Sequence, residues 1–194
     1  MKVVTAPEEY RESDDDIKVF LAGGITDCHD WQSSVIEELE KLIKECKADN
    51  LVIFNPRRPR FSIGDSREAS RQITWEYNAL QKSEIFSMYF CKGKSDQPIC
   101  MYELGRNLLK IIIEERFGFT VGAINRIVVS VEDGYKRDND VVIQSRLAFS
   151  GQCDFVHLFA TPKNHAKAII EKYKIIQKQR RIVKIADLSS VEGA

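Results

Sequence analysis

The chain has 194 residues, enough for one self-sufficient hydrophobic core. Its 29 Lys and Arg balance 29 Asp and Glu, so no overall field draws nucleic acid or an acidic membrane surface, and neither is an expected partner. There is no long uncharged apolar run, no basic-then-apolar leader layout and no CxxC among five cysteines, so a cytoplasmic protein without metal or cofactor is expected.

Residues 1–16 are polar, end in Ser13-Asp14-Asp15-Asp16 and read as an arm, with Lys2-Val3-Val4 a candidate edge strand. Residues 17–22 read as a buried strand, followed at once by Gly23-Gly24. Trp31, Val35, Leu39, Leu42, Ile43 and Cys46 recur at helical spacing behind Asp30, a candidate N-cap. Residues 51–54 form a short apolar strand, which makes 17–54 a strand–helix–strand unit with a parallel pair. Residues 55–70 are a long irregular loop with Pro56, Pro59 and Gly64, and such loops are often functional. Ile73, Tyr77 and Leu80 mark the buried face of a helix ending near Lys82. Ile85–Phe90 is the third strand, 101–115 the third helix and 126–131 the fourth strand. Asp138 or Asn139 caps a helix carrying Val142, Ile143 and Leu147. Residues 155–159 make a fifth strand, and a last helix carries Ile169, Tyr173 and Ile176. A basic tail covers 178–194, with Lys178-Gln179-Arg180-Arg181 read as solvated. The pattern implies an α/β domain over 17–177: a flavodoxin-like doubly wound sheet of about five mainly parallel strands with helices on both faces.

Four stretches carry chemistry. Gly23-Gly24 ends the first strand and allows close backbone approach by a ligand, or simply a tight turn. The pattern is neither GxGxxG nor a Walker loop, so a dinucleotide cradle is not expected. Glu76 and Asn78 are read as lying on faces of their helix other than that of Leu80, so at least one points away from the core. Glu103 sits between the third strand and the third helix, where free backbone N–H groups and the helix dipole hold a carboxylate ionised and aim it at the carboxyl ends of the strands. A lone glutamate is also favoured in a first turn for electrostatic reasons alone. Two carboxyl groups over one crevice suit glycosidic chemistry, one for the sugar carbon and one for the leaving atom. Arg57, Arg58 and Arg60 follow the second strand at the same end of the sheet, and arginine forks bind phosphate or carboxylate well. Ordinary surface charge in a Pro-rich loop is the alternative.

Taken together, Val19-Phe20-Leu21-Ala22-Gly23-Gly24-Ile25, Asn55-Pro56-Arg57-Arg58, Trp75-Glu76-Tyr77-Asn78-Ala79-Leu80 and Met101-Tyr102-Glu103-Leu104-Gly105 resemble the nucleoside 2-deoxyribosyltransferase superfamily. Within it, the resemblance is to the nucleoside 2-deoxyribosyltransferase-like branch, over about residues 17–130. It implies an enzyme that cleaves or transfers at the N-glycosidic bond of a (deoxy)nucleoside or its 5′-monophosphate. Glu103 matches the catalytic glutamate that attacks or stabilises the anomeric carbon, and Glu76 an acidic residue assisting proton transfer. Phe20, Gly23, Gly24, Ile25, Asn55, Arg57, Arg58, Trp75 and Met101 stand at positions expected to bind substrate. A homodimer or higher homo-oligomer is also implied, with the 104–113 helix face as a possible contact and plain core burial as its alternative. Three departures stand out: Phe20 replaces a common tyrosine, Gln97 stands where transferases carry an acid, and no C-terminal aromatic corresponds to the one lent between subunits. They argue against strict base exchange and leave C–N cleavage open. A nucleotide-sensing module without turnover and an NAD-cleaving glycosidase are the competing readings.

Overall fold

In the computed structural model, which describes residues 1–46, 49–59, 65–119, 122–149 and 154–191, the described strands form a six-stranded, wholly parallel sheet. In chain order the elements are β1 (Lys2–Thr5), β2 (Ile17–Gly23), α1 (Trp31–Cys46), β3 (Leu51–Asn55), α2 (Ser66–Lys82), β4 (Ile85–Phe90), α3 (Pro98–Arg116), β5 (Ile127–Val131), α4 (Asp138–Ala148), β6 (Val156–His157) and α5 (Pro162–Val191). The sheet order is β1-β3-β2-β4-β5-β6. Without the added edge strand β1, this is the flavodoxin-like order. The winding reverses between β2 and β4, and the carboxyl ends of those two strands therefore flank an open crevice. Among the described residues no helix is long and apolar enough to cross a membrane.

Alternation along the strands builds two cores. Ile17, Val19 and Leu21 of β2 pack with Ile85 and Tyr89 of β4 against Trp31, Val35 and Leu39 of α1 and Ile169 and Tyr173 of α5. Phe20 and Ala22 of β2 pack with Phe86, Met88 and Phe90 of β4 against Leu80 of α2, Leu104 and Leu108 of α3 and Val141 of α4. A strand covered on both faces reads as a continuous apolar run, which is why β2, β3 and β4 were legible. One buried histidine interrupts the first core. His165 sits between Ser87 Oγ at 2.7 Å and Ser130 Oγ at 2.8 Å, and burial pushes its pKa down to about 3. With both ring nitrogens partnered, the neutral imidazole is tolerated in the core.

Several elements depart from the sequence expectation. Helix α2 begins at Ser66, earlier than expected, because the Asp65 side chain accepts from the N–H groups of Arg67 and Glu68. Its buried residues include Gln72, Ala79 and Leu80, while Ile73 and Tyr77 are 65% and 51% exposed. The apolar stripe was thus read one residue out of phase. Glu76, one turn before Leu80, shares its face and does not oppose it. Helix α4 is rotated likewise: Val141 and Ser145 are buried, and Ile143 and Leu147 are exposed. Its N-cap is Arg137, without a side-chain cap bond, and Asp138 is already helical. Strand β6 keeps only two of the five residues expected. Asp30 does cap α1, accepting from Ser33 N–H at 3.1 Å.

Helix α5 continues unbroken past residue 177. Arg180 on it is not merely solvated. It donates to the carbonyls of Asp14, Asp15 and Asp16 at 2.9–3.2 Å and to both Glu84 oxygens at 2.8–2.9 Å. One guanidinium thereby ties the arm and the start of β4 to the last helix. Arg180→Met is expected to lower stability by about 1–3 kcal/mol, because three carbonyls and a carboxylate lose their donor. Lys178→Met, on the exposed side of the same helix, should stay within about 0.5 kcal/mol of wild type in urea unfolding.

Candidate active site

The crevice at the switch point is a cleft of about 200 Å³. Its walls come from the end of β2 and the loop after it (Phe20, Gly23, Gly24, Ile25, Thr26), from Pro56 after β3, from Glu76 on α2, and from the start of α3. Glycine is required at the last residue of β2 and at the one after it. Gly23 has φ 152°, and a Cβ there would run into the Tyr89 carbonyl and the Trp31 ring. A Cβ on Gly24 would lie 2.5 Å from Cys28 Sγ and 2.7 Å from the Gln97 carboxamide.

Helix α3 begins at Pro98, whose missing N–H and fixed φ suit the first helical position. Glu103 therefore lies in the second turn and not among the free N–H groups at the helix start, and the first turn of α3 contains no acid. The expectation of a dipole-stabilised, permanently ionised carboxylate is corrected accordingly. Burial, then the neighbouring Glu76 carboxyl, push the Glu103 pKa up to about 7, with Arg106 opposing. Arg106 is itself stacked 5.2 Å from the Tyr77 ring centroid and 5.9 Å from that of Tyr102. Glu76 is also raised by burial, offset by a hydrogen bond of 2.8 Å from Gln72 Nε2. The same Nε2 donates to the Pro56 carbonyl at 2.8 Å, which fixes Glu76 against the cleft wall. Two carboxyl groups thus face one crevice, each made harder to ionise by its surroundings.

The arginines are placed otherwise. Arg57 donates Nε to Gln32 Oε1 at 2.8 Å and Nη2 to the carbonyls of Gly24, Ile25, Cys28 and His29 at 2.9–3.5 Å. Asp30 completes its surroundings at 3.3 Å. Its guanidinium lies behind the wall and holds the β2–α1 loop. Arg58 pairs with Glu68 at 2.7 Å. Arg60, with Gly64, lies outside the described residues. Asn55 accepts from Arg57 N–H at 3.0 Å, and neither lines the cleft. Trp75 donates to the Glu8 carbonyl at 2.8 Å and packs beside Phe20, 6.3 Å between ring centroids, one layer behind the wall. Met101 is half-buried on the core side of α3 and also does not line the cleft.

Ser95, Gln97, Pro98, Ile99 and Cys100 line the cleft without having been expected to. Gln97, read in the sequence only as a departure, is 3% exposed. Its backbone is left-handed at φ 51°, its Nε2 donates to the Cys91 carbonyl at 2.6 Å, and its Oε1 has no partner. The overlooked signal was Pro98, which dates the helix start and hence the wall before it. Among the described residues, no cluster of three or more His, Cys, Asp or Glu side chains is placed to hold a metal ion.

Residues 16–110 match the sequence model of the family described as nucleoside 2-deoxyribosyltransferase like. Among curated proteins, none matches the chain.

The raised Glu103 pKa makes a stability prediction. A carboxyl whose folded pKa lies above its unfolded value stabilises below the unfolded value, and that contribution is lost as pH rises through the folded one. Wild type should thus lose stability between about pH 4.5 and 7, by an amount on the order of 3 kcal/mol at the upper end. Glu103→Gln should remove this loss, so the variant gains on wild type in melts at pH 8 and not at pH 4.

Proposed function

We propose, from the premise that the matched segment belongs to the nucleoside 2-deoxyribosyltransferase-like family, that the protein is an enzyme cleaving or transferring at the N-glycosidic bond of a nucleoside. Glycosyl transfer on nucleosides is the family-level activity. The observation that carries the reading to this chain is the meeting of Glu103 and Glu76 in the cleft at the switch point, with both pKa values raised.

In this reading Glu103 is the group facing C1′. Deprotonated, it attacks that carbon or stabilises the oxocarbenium-like charge as the C–N bond breaks. Glu76, which burial makes harder to ionise, passes a proton to the departing base, directly or through water. One wall of apolar and backbone surface (Phe20, Gly23, Gly24, Ile25) receives the flat base and sugar. If a second base takes the sugar the reaction is a transfer, and if water takes it, a hydrolysis. With Phe20 in place of a tyrosine, no hydroxyl is offered from β2 to orient a reacting glutamate, which favours hydrolysis. Among the described residues the cleft lining holds two carboxyls and no Lys or Arg, and Arg57 and Arg58 are both engaged elsewhere. An unphosphorylated nucleoside is therefore favoured over its 5′-monophosphate.

Chromatography of a nucleoside, monophosphate and NAD panel tests the assignment. Released base from nucleosides supports it. Free nicotinamide from NAD would identify the NAD-cleaving reading, and a ligand-raised Tm without any released base would identify a sensor. Glu103→Gln should lower turnover by about 10³-fold or more, since a nucleophilic carboxylate contributes several kcal/mol to the barrier. Wild-type kcat/KM should climb as pH rises through about 7, where Glu103 loses its proton. Glu76→Gln removes the neighbouring charge that raises Glu103, so the residual activity should show its ascending limb at lower pH.

A further inference from the structure

A second cavity, of about 170 Å³, lies at the opposite end of the sheet from the cleft. It sits at the amino ends of β4 and β5, between the end of α2, the middle of α3 and the turn Ala123–Arg126. It shares no lining residue with the cleft. Leu80, Phe86, Ile111 and Ala123 give it an apolar side, each at most 7% exposed. Asn107, Lys110 and Arg126 are among the polar groups that close the rest.

The charges around this cavity do not balance. Lys82 is paired with Glu12 at 2.8 Å, and both Glu84 oxygens are taken by Arg180. Lys110 faces Glu114 at 3.9 Å, the outer limit of an ion pair and too long for a hydrogen bond. Among the described residues, nothing accepts from the Arg126 side chain. Glu115, the acid tied to its turn, accepts from the Ala123 N–H instead. The Arg126 Nε is shut off from solvent and meets no acceptor. A half-buried guanidinium with an orphaned donor is costly until an anion meets it.

We infer that this cavity is a second ligand site and that it binds a phosphate group, free or as a small monoester. A guanidinium fork meets two phosphate oxygens at once, and a lysine ammonium on a flexible stem can take a third. Two cations around one cavity suit a tetrahedral dianion better than a single carboxylate. At about 170 Å³ the space is smaller than the pockets of roughly 300–1,000 Å³ that hold drug-sized ligands, so the ligand is small. Asn107 connects the site to the cleft. It lines the cavity, and its Nδ2 donates to the Glu103 carbonyl at 2.9 Å, one helical turn away. A seated ligand therefore bears on the turn of α3 that carries Glu103. The binding itself rests on this cavity and not on the glycosidic reading.

The test titrates the full chain with inorganic phosphate in a calorimeter, at an ionic strength held constant with sodium chloride. The expected result is one saturable phosphate per chain, with slower hydrogen exchange across 104–114 and 123–127 in the bound protein. Glycerol phosphate that competes identifies a monoester as ligand, and glycerol phosphate that does not identifies free phosphate; both uphold the site. Arg126→Met should weaken phosphate binding by roughly tenfold or more, and Lys110→Met by roughly threefold. Without phosphate, Arg126→Met should melt no lower than wild type, because it removes a charge that has no partner. Glu103→Gln should bind phosphate as wild type does, which separates this site from phosphate held in the cleft. No saturable binding, binding untouched by both Arg126→Met and Lys110→Met, protection confined to the cleft walls, or succinate binding as tightly as phosphate would overturn the proposal. A lower Tm of Arg126→Met would make the side chain structural and overturn it too. Phosphate binding that Arg126→Met removes, in protein that releases no base, upholds the site and removes the glycosidic reading.

Discussion

The site depends on one guanidinium. The loop after β2 leaves the carboxyl end of a central strand, and its carbonyls must find donors off the sheet; Trp31 and the Cys28 N–H serve three of them. Arg57, arriving from the end of β3, donates to four of those carbonyls and to the Gln32 side chain. A planar fork of donors suits this where a lysine point charge would not. The loop is thereby fixed beside the ends of β2 and β4 with a gap between them. The positive charge is spent behind the wall, so the open cleft is left to carboxyl groups.

Those carboxyl groups explain the departure of α2 from its apolar pattern. Its inward stripe is Gln72, Glu76, Ala79 and Leu80, and the first two are polar. Gln72 clamps Glu76 and the Pro56 carbonyl together, so the polar half of the stripe faces the cleft and the apolar half the core. Raised pKa values mean that ionising either acid disfavours the folded state. A fold selected only for stability would place apolar side chains there. Retaining two acids in one crevice is the kind of local strain that functional sites carry.

The other face of the sheet shows the contrast. Ser87, Ser130 and His165 are more deeply buried than the two acids, yet they bond to one another and the histidine is simply held neutral. That arrangement is structural polarity, fully satisfied. Around the cleft, satisfaction is incomplete: Gln72 and Gln97 each keep one buried oxygen without a partner. The two raised acids sit together on one side of the switch point.

By itself the sequence determined the elements whose signal is local. The apolar runs of β2, β3 and β4, the spacing of Trp31, Val35, Leu39 and Ile43, the glycines after β2 and the alternation of strand and helix sufficed for a doubly wound sheet, because burial on both faces writes itself into consecutive residues. Glu103 and Glu76 could also be singled out, since their motif is contiguous. Tertiary structure alone decided what those residues experience. The phase of α2 followed from a polar inner stripe that mimics a solvated face. The roles of Arg57 and Arg180 came from partners 25 to 33 and 96 to 166 residues away in the chain. The elevated pKa of Glu103 arose from enclosure and from a second acid on another helix. Charge and burial are sums over neighbours in space, and a linear pattern does not record which neighbours those are.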